Sequence, residues 1–202
     1  MSFIIDHPAS WIGIPERFPY PGPEGVGPLH DAGQWAAEVV TELVGSARVP
    51  QERVDAAREV LLMVESTRRE REATRSFVAF VSWDGPVYVA DAVAEPAEVL
   101  GTMTLAQYAG ADDPRQLIPA VLGRFVTATG LEGVRCVREL PYDDGAEIVL
   151  DQVDYAWLAG EQVLKITAAQ LDHDLFESML PFTDALAQSV RPAAGEATRA
   201  IP

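Results

Sequence analysis

The pattern of hydrophobic and polar positions predicts two amphipathic helices in the first half of the chain. In two stretches the apolar residues recur about every 3.6 positions, which gathers them on one side of a helix. The first helix begins near Pro28 and ends at Gly45, and Pro50 suits the first turn of the second. The two apolar stripes are Trp35, Val39, Val40, Leu43 and Val44, and then Val54, Ala57, Leu61 and Val64.

From residue 77 onward, short apolar runs between turn residues indicate β-strands. Strands are predicted at 77–83, 87–90, 99–105, 134–140, 148–158 and 163–169, with a helix starting at Asp113-Pro114 between them. Asp84-Gly85, Asp143-Asp144-Gly145 and Gly160 provide short turns. Strands joined by short turns are antiparallel neighbours, so the sheet is expected to be antiparallel.

A last helix is predicted near the end of the chain. Asp174 is suited to cap its N-terminus, and Glu177 three positions later completes the pattern of a capping box. Pro192 ends the helix, and the segment that follows is small and polar. The apolar stripe of this helix is Leu175, Met179, Phe182, Leu186 and Val190.

Residues 1–28 are rich in proline and aromatic residues, which excludes a long helix or an inner strand there. Trp11, Phe18 and Tyr20 are too apolar for a free tail. They are expected either to pack on the body of the protein or to bind another protein or a second copy. The sequence therefore predicts an α+β fold with an antiparallel five- to six-stranded meander sheet packed by helices. Residues 1–28 form an extended arm, 29–191 a single domain and 192–202 a disordered tail.

The charge balance limits the partners. The formal net charge is -16 over 202 residues, which argues against nucleic-acid binding and against an anionic membrane surface, because both are bound through Lys and Arg. A basic protein partner remains compatible with this charge. The first residues lack the pattern of a signal peptide, and a single cysteine cannot build an internal disulfide framework. We expect a cytoplasmic protein.

Few residues suggest chemistry. His173 lies between Asp172 and Asp174, which would suit a ligand set or a base with an orienting carboxylate, or equally capping carboxylates beside an exposed histidine. Asp151 and Asp154 are expected on opposite faces of a strand, which excludes a carboxylate pair. Cys136 is interpreted as a buried apolar residue. We predict no catalytic residue, no metal and no cofactor.

Two segments resemble a known family. Trp11-Ile12-Gly13-Ile14-Pro15 precedes Phe18-Pro19, and the last helix reads Leu-Asp-x-Asp-x-Phe-Glu-x-Met-Leu-Pro-Phe from Leu171. This is similar to the PsbP-like α+β fold, including LpqN-type lipoproteins, although this sequence has no lipobox cysteine and carries two long helices before the sheet. The resemblance implies a protein-binding or assembly role and transfers no site residues.

These observations favour a non-enzymatic accessory protein that binds another protein, with an assembly, chaperone or secretion-related role; the partner is either a different protein or a second copy in a homodimer. The residues expected to contact the partner are Trp11, Phe18 and Tyr20. The alternative is a small-molecule-binding protein or small enzyme with a pocket between sheet and helices.

Overall fold

A seven-stranded antiparallel sheet lies at the centre of the protein in the computed structural model, which describes residues 3–22, 27–68, 70–142 and 148–193. The strand order is β2-β3-β4-β8-β7-β6-β5, and β1 and β9 pair separately. The strands are β1 Phe3–Ile5, β2 Ile12–Gly13, β3 Arg75–Phe80, β4 Val87–Pro96, β5 Val121–Val126, β6 Glu132–Pro141, β7 Val149–Ala159, β8 Gln162–Gln170 and β9 Val190–Pro192.

The α+β class and the antiparallel pairing are confirmed, but the prediction of a five- to six-stranded meander is wrong. Strands β5 to β8 do form a meander, whereas the chain crosses from β4 to the far edge before returning to pair β8 with β4. The seventh strand is β2, which the N-terminal segment adds next to β3. The expected turn at Asp143-Asp144-Gly145 lies outside the described residues.

The region between β4 and β5 also differs from the prediction. In place of a strand at 99–105, a 3₁₀ turn at Ala97–Leu100 is followed by a one-turn helix, α3, at Leu105–Tyr108. Thr104 and Gln107 form a reciprocal capping box that starts this helix. The helix expected from Asp113 is absent, because the residues before β5 form turns instead.

Three longer helices cover the two faces of the sheet: α1 Ala32–Val44, α2 Gln51–Thr67 and α4 His173–Gln188. Asp172, and not Asp174, caps α4 by accepting a hydrogen bond from the Leu175 backbone N–H at 2.9 Å. Among the described residues no helix has both the length and the apolar composition needed to span a bilayer.

The helices divide the core into layers. The apolar side of α4 packs on one face of the sheet, where Tyr155, Trp157 and Ile166 are fully buried. On the other face α1 and α2 cover β3 and β4, and α3 covers Cys136 and Ala156 of β6 and β7. The pairing of β1 with β9 brings the start of the chain beside the end of α4. The N-terminal segment thus lies across one edge of the sheet.

Candidate protein-binding site

The three residues predicted to bind a partner occupy different positions in the structure. Trp11 is 1% exposed, and its indole N–H donates a hydrogen bond to the Phe182 carbonyl oxygen at 2.9 Å. Phe18 is half-buried against the core beneath α1 and α2. Tyr20 is 40% exposed. Trp11 is therefore a structural anchor that joins the arm to α4, and Tyr20 is the one of the three available to a partner.

Polar contacts hold the middle of the arm in place. The Glu16 carbonyl oxygen accepts from Arg68 Nη2 at 2.9 Å, and its carboxylate pairs with Arg75 Nε at 2.7 Å. Tyr20 and Leu29 exchange two backbone hydrogen bonds of 2.8 Å each. The segment that ends at Tyr20 thus has a fixed position relative to α1.

A groove of about 550 Å³ lies between the arm and α1; we call it the arm groove. Tyr20, Pro21 and Gly22 form its arm side, and His7 lies at one end. The α1 side and the floor consist of Leu29, Trp35, Val39 and Leu43, together with the carboxylates of Glu38 and Glu42. The groove therefore combines an apolar surface with negative charge on one wall.

Glu38 and Glu42 are the charged groups that distinguish this groove. They are one helical turn apart on α1, Glu38 half-buried and Glu42 exposed. Neither has a salt-bridge partner among the described residues. A second groove, of about 530 Å³, lies on the other side of the arm, but its charged residues Glu16, Arg17 and Arg75 have both signs. Of these two grooves, the arm groove is the one whose Asp, Glu, Lys and Arg residues share a single sign of charge.

His173 contacts a residue that the sequence did not indicate. Its Nδ1 lies 2.9 Å from the Asp151 carboxylate, which is buried at the end of β7, whereas the imidazole itself is largely exposed. This hydrogen bond and the negative charge of Asp151 raise the pKa of His173 above its ordinary value. Within the described ranges no group of three or more potential ligands could hold a metal ion.

The other polar cluster is closed to ligands. Asp154 is fully buried and accepts hydrogen bonds from Arg138, Gln152 and Thr167. Arg138 also binds Asp113, so the cluster ties the turn after α3 to the sheet. The pKa of the buried Cys136 thiol is raised, chiefly by desolvation, and a protonated thiol is a weak nucleophile.

Sequence reasoning named Tyr20 as a partner contact but did not predict the acidic wall opposite it. Glu38 and Glu42 lie off the apolar stripe predicted for the first helix, and their spacing of four residues was the available signal. The two glutamates border a groove only because the pairing of Tyr20 with Leu29 places the arm beside α1. The local sequence pattern does not contain this information.

Comparison with known proteins adds no family to this description. No protein-family model matches the chain. No curated protein matches it either. The function is therefore argued from the geometry of the described residues.

Proposed function

We propose that this chain is a non-enzymatic accessory protein, with an assembly, chaperone or secretion-related role, that binds a segment of another protein in the arm groove. The observation that carries the proposal is the pairing of an apolar surface with two carboxylates, Glu38 and Glu42, that have no ion-pair partner among the described residues. Apolar burial would supply affinity, and the carboxylates would select the partner by charge.

The chemistry of the groove suggests the chemistry of its partner. A segment with apolar side chains flanked by Lys or Arg would fill the space beside Trp35 and Val39 and place its cations beside the two glutamates. The net charge of -16 would attract such a segment from a distance and speed its encounter. The exposed ring of Tyr20 adds an aromatic contact of the kind enriched at interfaces.

Two further observations support a binding role over catalysis. The buried polar groups of the Arg138 cluster already bind one another, which leaves little for a substrate. The resemblance to the PsbP-like fold also implies binding or assembly. The alternative of a small-molecule pocket has less support, because Ala109, Cys136 and Ala156 pack together between α3 and the sheet.

Site-specific crosslinking tests the proposal. A photo-crosslinking amino acid at position 20, introduced in the native cell, should capture a partner through an apolar segment that contains Lys or Arg. In the same protein, Glu38→Lys with Glu42→Lys should abolish capture by placing like charges against the partner. The matched control is Glu59→Lys with Glu98→Lys, because both glutamates are exposed and lie outside the groove.

The control variant should capture the partner as well as the native protein does. Capture that survives the reversal of Glu38 and Glu42, or a crosslinked segment that is acidic, would contradict the proposal. A melting temperature for each variant shows whether a lost crosslink reflects unfolding.

A further inference from the structure

Strand β5 lies at the edge of the main sheet opposite to the arm, and its outer side is exposed. β6 is its sole strand partner in the described part of the chain. Its first four residues are exposed, with Val121 at 64% and Leu122 at 50%. Leu117 and Ile118, which lead into the strand, are 51% and 48% exposed. Among the described residues, the outer backbone N–H and C=O groups of β5 thus have no strand partner, and apolar side chains lie on both faces of the strand.

The two edges of the sheet are protected very differently. At the other edge β2 has two residues, and the proline-rich arm follows it. Short edge strands and prolines are the usual means of preventing edge-to-edge pairing. β5 itself has six residues, contains neither proline nor lysine, and carries Arg124 as its one charged residue, and Pro119 lies two positions before it. The strand thus lacks most of those protections, which is typical of an interaction surface.

We propose that β5 pairs antiparallel with β5 of a second copy of this chain, so that the two sheets join into one. A second copy brings a strand that is already formed, and therefore avoids the entropy cost of ordering a flexible peptide. The acidic net charge opposes self-association in general, but β5 contains no acidic residue, and Arg124 is neutralised by Glu132 of the same copy. This contact is separate from the arm groove, so either proposal can fail without the other.

The symmetry of such a dimer restricts its register. A two-fold axis perpendicular to the sheet must lie midway between the two copies of one residue. Residues directly opposite each other in an antiparallel pair have side chains on the same face, so a residue cannot lie opposite its own sequence neighbour. An axis at Leu122 brings the two copies of Leu122 together, and an axis at Gly123 places Val121 opposite Phe125. An axis at Arg124 would bring two arginines together. We therefore expect the axis at Leu122 or Gly123.

Sedimentation analysis of edge variants tests the dimer. The native protein should show the mass of two chains, falling to one chain on dilution. Val121→Lys with Leu122→Lys should give a monomer at all concentrations, because both side chains are exposed and lysine prevents edge pairing. Met63→Lys with Val99→Lys is the matched control, since these exposed apolar residues lie away from β5, and it should remain a dimer.

A native protein that stays monomeric at its highest attainable concentration would overturn the proposal, and so would a dimer that survives the β5 substitutions. Removing residues 194–202 should leave the dimer intact. If the native protein is monomeric and this deletion makes it dimeric, the tail and not a second copy pairs with β5, and the proposal is wrong.

Disulfide trapping tests the register. The substitutions are made in a Cys136→Ala background, because Cys136 lies opposite Leu122 in the ladder and could capture a new thiol within the same chain. Under mild oxidation, Leu122→Cys or Gly123→Cys should form a crosslinked dimer, and Arg124→Cys should form at least tenfold less of it. Absence of a crosslink from both of the first two variants would overturn the proposed pairing.

Discussion

Arg138 connects the turn after α3 to the interior of the sheet. Its side chain is 8% exposed and forms ion pairs of 2.9 Å with Asp154, inside the sheet, and with Asp113, in the turn after α3. Because the interior screens charge poorly, removing one partner leaves the others buried and unpaired, which costs much more than an exposed ion pair contributes. Arg138 therefore helps to hold the turn that carries Asp113 against the sheet.

The first prediction compares the loss of this buried ion-pair cluster with the loss of an exposed ion pair. Arg138→Met should lower the free energy of unfolding by about 3–5 kcal/mol, because Asp154 loses its cation while it remains fully buried. Arg124→Met, which breaks the exposed pair with Glu132, should cost less than about 1 kcal/mol. Urea denaturation of the two variants measures the difference. Equal losses would show that the Arg138 cluster is not energetically special.

A second prediction concerns Gly110, whose φ of +89° is unfavourable for any side chain. A Cβ at this position would overlap the Arg138 guanidinium, so alanine would also displace the arginine. Gly130 is a suitable control, because its φ is +83° and a Cβ there would meet nothing within 4 Å. Gly130→Ala should cost about 1–2 kcal/mol and Gly110→Ala at least about 1 kcal/mol more in thermal or urea unfolding. Equal losses of unfolding free energy in the two variants would mean that the Arg138 side chain moves aside without cost.

The third prediction is a titration. NMR should give His173 a pKa above its ordinary value, and Asp151→Asn should return it toward that value, because the hydrogen bond from Nδ1 then meets a neutral side chain. Since the folded pKa is the higher one, the stabilisation is complete below about pH 6.5 and is lost as the pH rises through the folded pKa. Identical titration of His173 in both proteins would contradict the assignment.

At the residue scale, the sequence predicted contacts that are local and missed those that depend on register. It placed Asp151 and Asp154 correctly on opposite faces of one strand, because alternation is a property of the strand itself. It looked for the partner of His173 among its neighbours Asp172 and Asp174, whereas the contact is with Asp151, 22 residues earlier. That contact forms only because β7 pairs with β8 and α4 begins directly after β8, beside Asp151.

Among the elements, those with a strong period were predicted and those shaped by tertiary contacts were not. The stripes of α1 and α2 were visible because burial of one helix side repeats in the sequence. The two residues of β2 are too few to show any period, and they form a strand because β3 offers an open edge. β5 was missed because its first four residues are exposed, so no alternation of burial marks it.

The fourth prediction separates anchoring from binding within the arm. Trp11→Ala should lower the free energy of unfolding by about 3–5 kcal/mol, because a fully buried indole and its hydrogen bond to Phe182 are lost. Tyr20→Ala should change it by less than about 1 kcal/mol, since this residue lies at the surface and is 40% exposed, while reducing partner binding. Chemical denaturation of both variants measures the stabilities. A stable Trp11→Ala protein would mean that the arm does not contribute to the fold.

On the scale of the whole molecule, the sequence indicated the class of fold but not the strand order. Short turns imply antiparallel neighbours, so the β6 to β8 part of the meander follows from local signals. The pairing of β4 with β8 joins segments more than 60 residues apart in the chain. The pairing of β1 with β9 joins segments that are separated by almost the whole length of the chain. Such contacts are decided by which faces remain uncovered once the local units have formed.

The last prediction concerns the charge of the whole chain. The chain has 31 acidic and 15 basic residues, so repulsion among carboxylates is widespread. Four of the ion pairs among the described residues are exposed on both sides and individually weak. Raising the ionic strength from about 0.01 M to 0.15 M shortens the screening length from about 30 Å to 8 Å. This weakens the diffuse repulsion more than the close pairs. The melting temperature should therefore rise by a few degrees, the equivalent of about 1 kcal/mol in a chain of this size.

The control for this effect is Glu59→Lys with Glu98→Lys, which makes the net charge less negative without touching a salt bridge of the described residues. At low salt this variant should melt higher than the native protein, and its melting temperature should respond less to added salt, because there is less repulsion to screen. Calorimetry at several sodium chloride concentrations provides the comparison. A native melting temperature that falls with salt would show that the exposed ion pairs, which salt screens, outweigh the repulsion among the surplus carboxylates.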